Sequence, residues 1–251
     1  MPTEQPTILF VPGAWHFPAG FDAVRELLKP LGYPTEAVAH PSIGAEPPNK
    51  TLEDDTANTR AAIEKLAEAG KKVVLVTHSY GGIVGSSAVE DLGFEQRKAV
   101  GKEGGVINFV YMAAFALPKG AGPRDVLGDA VLPWMVFKGD RVFAGEPAEY
   151  FYHDMTRSEQ QKWIAELSHT SAPAFGGKTK HEPWHHMPCT YIFCEDDKVI
   201  TLDTQKKMAT SMGAGLTTFS IKASHSPFLS VPDKVVEGIE LAAKVGLEKS
   251  S

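Results

Sequence analysis

Residues Val73 to Gly82, Val-Val-Leu-Val-Thr-His-Ser-Tyr-Gly-Gly, run as a buried-strand segment that stops at a serine and passes at once into a helix. Few architectures accept such a segment. A serine at the end of a buried strand, with small residues two places to either side, reads as a nucleophile elbow, a strained turn that lifts a hydroxyl off the edge of a sheet. Gly81 fills the position after Ser79, whereas Thr77 stands where glycine is more usual. The motif is G-x-S-x-G with one departure. Five letters recur by chance in many chains, so its weight depends on a strand before it, a helix after it and chemical partners downstream.

The surrounding sequence alternates apolar, β-rich runs with stretches of helical period, the pattern of a parallel sheet covered by helices. Strands are expected at Thr7 to Val11, Thr35 to Ala39, Val73 to Thr77, Val106 to Ala113, Thr190 to Cys194 and Leu216 to Ile221. Helices are expected around Phe21 to Leu31, from Thr51 to before Gly70, at Ile83 to Leu92, at Thr201 to Met212 and from Pro232 to about Val245. Thr51 with Asp54 three places on forms an N-capping signal, and Ala57, Ala61, Ile63, Leu66 and Ala67 give that helix its expected apolar side. From about Leu117 to Met187 the alternation breaks. This stretch holds Trp134, Phe137, Phe143, Tyr150, Phe151, Tyr152, Trp163, Phe175 and Trp184 among Gly and Pro, with modest helical patterns near Ala148 to Met155 and Ser158 to Leu167. It reads as a small helical cap, residues 117–187, inserted into a single domain spanning 1–251.

Composition removes several classes. With 43% hydrophobic and 22% charged residues the chain has material for a sizeable core. The net charge is −6 with scattered Lys and Arg, so a nucleic-acid partner lacks its electrostatic footprint. Two cysteines, Cys189 and Cys194, give no disulfide framework and favour a reducing compartment. The N-terminal Met-Pro-Thr-Glu-Gln-Pro-Thr lacks the form of a leader, and no apolar run reaches about 18 residues, so a cytoplasmic protein without a membrane span is expected.

A serine hydroxyl needs a positioned base, and the base needs an orienting acid. In the chain order Ser, acid, His the histidine belongs after the last strand, where His225 stands in Ala-Ser-His-Ser-Pro-Phe. The acid belongs after the strand before it, where Thr190 to Cys194 leads into Glu195-Asp196-Asp197. Asp197 has the better register, with Asp196 as the alternative. A turn serine, a solvated acidic loop and a surface histidine are each ordinary alone; three roles in the required order at three strand ends are not. Donors for a tetrahedral oxyanion are expected from the backbone N–H of Tyr80 and from the loop after the first strand, where Gly13 allows the turn, Ala14 presents its amide and Pro12 has none to give. Trp15, His16, Phe115, Trp134 and Phe137 are the expected pocket residues. His181-Glu182-Pro183-Trp184-His185 spells H-E-x-x-H, but Pro183 opposes the continuous helix that motif needs, so no metal is expected.

Taken together, Phe10-Val11-Pro12-Gly13-Ala14-Trp15-His16, Thr77-His78-Ser79-Tyr80-Gly81-Gly82, Asp197 in its loop and Ser224-His225-Ser226-Pro227 make the chain similar to the α/β-hydrolase superfamily. Within it, the chain resembles the small esterase branch of plant methylesterases, hydroxynitrile lyases and microbial carboxylesterases. The resemblance implies an α/β-hydrolase fold with a mostly parallel sheet, a triad of Ser79, Asp197 and His225, and an oxyanion hole from the Ala14 and Tyr80 amides, with no cofactor. Lyases of that branch carry a lysine after the catalytic histidine and a threonine in the first loop; here Ser226 and Gly13 stand there, which disfavours cyanide release. The expected activity is serine hydrolysis of a small apolar or aromatic ester or lactone. Alternatives are a small-molecule receptor on the same fold, acyl transfer to another alcohol, or lyase-type chemistry. A homodimer is compatible with the aromatic cap.

Overall fold

The computed structural model describes residues 5–128 and 132–250; the first four residues of the stretch inspected for a leader lie outside them. The chain order is β1 (Thr7–Val11), α1 (Asp22–Leu28), β2 (Thr35–Ala37), α2 (Leu52–Glu68), β3 (Lys72–His78), α3 (Gly81–Ala88), α4 (Phe94–Ala99) and β4 (Gly105–Met112). A second group follows: α5 (Arg124–Leu127), β5 (Met135–Lys138), β6 (Arg141–Ala144), α6 (Pro147–Tyr150), α7 (Arg157–Ala165) and β7 (Thr170–Ser171). The chain then returns through β8 (Cys189–Cys194), α8 (Leu202–Ser211), β9 (Thr217–Ile221), α9 (Pro227–Ser230) and α10 (Pro232–Lys249).

The main sheet has six strands in the order β2-β1-β3-β4-β8-β9, all pairings parallel. The chain steps outward from β1 to β2, then crosses back to place β3 on the other side of β1 and builds outward again. Such a reversal, here at the carboxyl ends of β1 and β3, marks the place where open α/β sheets bind ligands. The loop carrying Gly13 and Ala14 follows β1, and Ser79 follows β3, so the topology alone brings the two together.

Alternation along the strands divides the core into two layers. Ile8, Phe10, Val74, Val76, Ile107, Val110 and Ile192 face α1 and α10, burying Val24, Leu28, Val235 and Ile239. Leu9, Val11, Leu75, Phe109, Tyr111 and Tyr191 face the opposite layer, with Leu52, Ile63 and Leu66 of α2 and Ile83 and Val84 of α3. All eight residues of α3 are buried, which explains its apolar and glycine composition. Helix α2 carries the expected capping box, Thr51 and Asp54 each bonding the other's backbone. Its buried face differs from the expected one. Leu52, Asp55, Thr59, Ile63, Leu66 and Ala67 are buried, whereas Ala57 and Ala61 face solvent. A small alanine is neutral about burial, so the larger residues at i, i+4 and i+7 set the register.

The segment between β4 and β8 is mixed rather than purely helical. It includes a three-stranded antiparallel sheet, β5-β6-β7, alongside three short helices. Strands β5 and β6 form a hairpin pairing Lys138 with Arg141 across Gly139-Asp140. Gly-Asp between two alternating runs is a hairpin signal in its own right. No described helix is long and apolar enough to cross a membrane.

Candidate active site

Ser79 sits at the sharp end of β3 with φ +52°, a conformation that a residue with a Cβ occupies only when its surroundings hold it there. The surroundings are backbone. The Ser79 carbonyl accepts the N–H groups of Gly82 at 3.0 Å and Phe115 at 3.2 Å. A Cβ on Gly81 would lie 2.5 Å from the carbonyl oxygens of Val11 and Pro12, and one on Gly82 would lie 2.5 Å from that of Phe115. The elbow therefore needs both glycines for contact, not for dihedral freedom. Thr77, the departure from the usual pattern, fits because the next glycine along α3 makes room: a Cβ on Gly85 would stand 2.7 Å from the Thr77 Cγ2. The Thr77 hydroxyl is absorbed by the Val110 carbonyl at 2.8 Å. Gly13 has a similar reason, since a Cβ there would meet the His78 Nδ1 at 2.8 Å and the Ser79 Cβ at 3.0 Å.

The three sequence-predicted residues converge. The Ser79 hydroxyl donates to His225 Nε2 at 2.9 Å, and His225 Nδ1–H donates to Asp197 Oδ2 at 2.8 Å. All three are buried. Asp197 is oriented from its other side, where Oδ1 accepts the amides of Val199 at 2.7 Å and Ile200 at 3.0 Å. Gln205 on α8 adds a bond to Oδ2 at 3.3 Å while tying Cys194 and Ile200 into the same loop. Asp196 uses its carbonyl to accept His153 Nε2–H. The geometry thus separates the two neighbouring aspartates. Among the described residues the amides of Ala14 and Tyr80 donate to no protein acceptor.

Two further histidines pack around His225. His78 donates Nε2–H to the His225 carbonyl at 2.8 Å, and His16 donates Nδ1–H to the Ala14 carbonyl at 2.7 Å while accepting the Tyr152 hydroxyl at 2.8 Å. Burial drives both imidazoles down, His16 to about 4 and His78 well below the usual value, with the neighbouring His225 imidazole adding a smaller lowering to each. Both stay neutral at neutral pH.

The cap segment 149–154 touches the first loop, the acidic loop and the histidine loop. Tyr152 bonds His16, and Phe151 packs on Trp15 and His225 with ring centroids 5.4 and 5.7 Å apart. Asp154 accepts the Ser224 amide, and the Phe151 carbonyl accepts the Ser224 hydroxyl. His153 reaches Asp196, and Lys198 pairs with Glu149. From the other direction Trp15, with φ +67°, donates its amide to Thr170 Oγ1 and its indole N–H to the Val142 carbonyl.

A model of the alpha/beta hydrolase family matches residues 8–238. The chain belongs to that family. As an alpha/beta hydrolase it is 31% identical over 250 residues to the alpha/beta hydrolase nvfD of Aspergillus novofumigatus (strain IBT 16806), covering 97% of this chain and 99% of that one. Its fold matches the pyrethroid hydrolase of Sphingobium faniae JZ-2 with a TM-score of 0.75 at 24% identity, over 97% of this chain and 99% of the other. It also matches a methylesterase of Arabidopsis with a TM-score of 0.74 at 19% identity, over 95% and 99% of the two chains.

Within this alpha/beta hydrolase the expected pocket residues divide. Trp15, His16 and Phe115 are buried beside the elbow and the first loop. Trp134 is half-buried and packs on Tyr150 at 5.4 Å. Phe137 is 55% exposed, which corrects its expected place in the pocket. It lies on β5, the outer strand of the cap sheet, three of whose four residues face solvent. Residues 181–185 do not form a helix: Pro183–His185 make one 3-10 turn, and the described residues contain no group of three or more metal-ligating side chains. Tyr152 and Gln205 carried no signal in the sequence: the partner of Tyr152 lies 136 residues away, and Gln205 reaches back from a helix to the acidic loop before it, which no motif marks.

Proposed function

We propose that this protein is a cofactor-independent serine hydrolase cleaving a carboxylic ester or lactone through an acyl-enzyme on Ser79. The observation that carries the reading is the unbroken chain from Ser79 Oγ through His225 to Asp197, at 2.9 and 2.8 Å, on an elbow at the sheet's switch point. His225 takes the serine proton as Oγ attacks the carbonyl carbon, then returns it to the departing alkoxide oxygen. Asp197 holds the imidazole in the tautomer that presents Nε2 as acceptor and stabilises the imidazolium. The Ala14 and Tyr80 amides receive the oxyanion, each such donor being worth about 3 kcal/mol in related chemistry. Water then attacks the acyl carbon by the same base, releasing the acid and regenerating Ser79.

Trp15, Phe151, Phe175 and Tyr80 form a continuous aromatic set beside the elbow, which supports a small apolar or aromatic substrate held mainly by burial. Hydrolysis by a pyrethroid hydrolase of Sphingobium wenxiniae, 25% identical over 256 residues, supports the ester class. Turnover of a panel of chromogenic esters and lactones tests the reading. Wild type is expected to hydrolyse apolar members and Ser79→Ala to lose at least about 10³-fold in kcat; equal rates in both would overturn it.

A further inference from the structure

Among the described residues two carboxylates are buried, Asp197 and Asp55, and the reaction uses only the first. Asp55 stands in the first turn of α2, a place that favours negative charge. Its Oδ1 accepts the Ser42 amide at 2.9 Å, and its Oδ2 accepts the hydroxyls of Ser42 at 2.6 Å and Tyr80 at 2.8 Å. Burial, with Asp55 alongside, holds the Tyr80 phenol well above its ordinary value, so it keeps its proton and donates. The carboxylate gives three buried donors a single acceptor. What the carboxylate adds is direction.

That direction bears on the oxyanion donors. The Tyr80 amide belongs to the peptide that follows Ser79 at φ +52°, so a small rotation of Tyr80 re-aims the N–H. The Tyr80 ring is held at its tip by Asp55 and on its sides by His40 and Phe175, with centroids 5.6 and 5.8 Å away. His40 Nε2–H in turn donates to the Pro12 carbonyl at 2.9 Å, two residues before the Ala14 donor. The Ser42 carbonyl accepts the Ser171 amide at 2.9 Å, and the adjacent Thr170 accepts the Trp15 amide. Both donor loops are thus tied to one buried cluster.

We propose that Asp55 is a positioning residue: through the Tyr80 hydroxyl and Ser42 it sets the placement of the two backbone amides that receive the oxyanion. This rests on the serine-hydrolase reading. The test compares wild type, Asp55→Asn, Tyr80→Phe and the double variant for kcat, KM, melting temperature and affinity for a trifluoromethyl ketone matched to the best ester, which forms an oxyanion on Ser79. Misplaced donors cost rate steeply, so kcat is expected to fall about tenfold or more with KM within about twofold. Affinity for the ketone should fall by the same factor, and the double variant should be no slower than the slower single one. Tyr80→Phe loses one oxygen and keeps the result readable if Asp55→Asn fails to fold. Wild-type kcat and ketone affinity in Tyr80→Phe, even with a lowered melting temperature, would overturn the proposal. Wild type without Ser79-dependent turnover would instead remove the hydrolase reading beneath it.

Discussion

The two walls of the site are built by different means. On the sheet side the elbow and the first loop meet backbone to backbone, with glycines where a methyl group would strike a carbonyl oxygen. On the cap side, segment 149–154 reaches the first, acidic and histidine loops through side chains and single hydrogen bonds spanning 43 to 136 residues of sequence. Contact between backbones admits almost no substitution and leaves a short motif. Contact through side chains admits many solutions and leaves none. The sheet side is therefore the rigid reference, and the cap is the part that can vary with substrate while Ser79, His225 and Asp197 stay in register.

The sharpest way to break this contrast is Gly81→Ala. Helix propensity alone favours alanine by about 1 kcal/mol, but its Cβ would lie 2.5 Å from two carbonyl oxygens that have nowhere to move. The account expects a net loss of about 3 kcal/mol or more in denaturant unfolding, with loss of activity; a stabilised variant would mean that the elbow is not close-packed.

Acid should weaken the sheet side next. His16, His40 and His78 are buried and depressed below 6.5, so the unfolded chain binds more protons than the folded one as pH falls from 6.5. Stability is fully present above that value and is lost progressively on the way down to about 4. For His16 alone, a fall from 6.5 to about 4 at about 1.4 kcal/mol per pH unit corresponds to about 3 kcal/mol. Chemical denaturation between pH 7.5 and 5 should show a positive slope of stability with pH; a flat profile would contradict buried neutral imidazoles.

Substitutions in the cap should cost less. Tyr152→Phe leaves His16 Nε2 without its donor and is expected to cost about 1–2 kcal/mol of stability. Phe137→Ala, on the exposed hairpin, should stay within about 0.5 kcal/mol and about twofold in turnover. A thermal-shift and rate comparison of the two variants would place the boundary between the functional and outer faces of the cap, and a severe loss in Phe137→Ala would move that boundary outward.

The same contrast accounts for what could be read in the chain. Ser79, His225 and the acidic loop each stand at the end of a parallel strand, and a parallel strand's apolar run is visible locally, so the fold and the placement of these three residues at strand ends were legible together. Between Asp196 and Asp197 the sequence offered only register, which favoured Asp197; the rest depends on which carboxylate turns toward His225 and which carbonyl turns toward His153. The β5–β6 hairpin has a legible turn at Gly139-Asp140, but the aromatic residues around it mask the alternation of its two short strands. In α2 the alanines misled about the buried face, and the polar residues on that face, Asp55 and Thr59, hid its true register. Tyr152 acts through a partner 136 residues away and Gln205 through a loop that precedes its helix, and no local pattern announces either.

The central claim is that Ser79 is a nucleophile activated by His225. Incubation with a fluorophosphonate, followed by intact-protein and peptide mass measurement, tests it most directly. The account predicts one adduct per chain on the peptide containing Ser79, absent in Ser79→Ala and slowed at least about 10³-fold in His225→Ala. No adduct on the native protein, or the same adduct in Ser79→Ala, would contradict it.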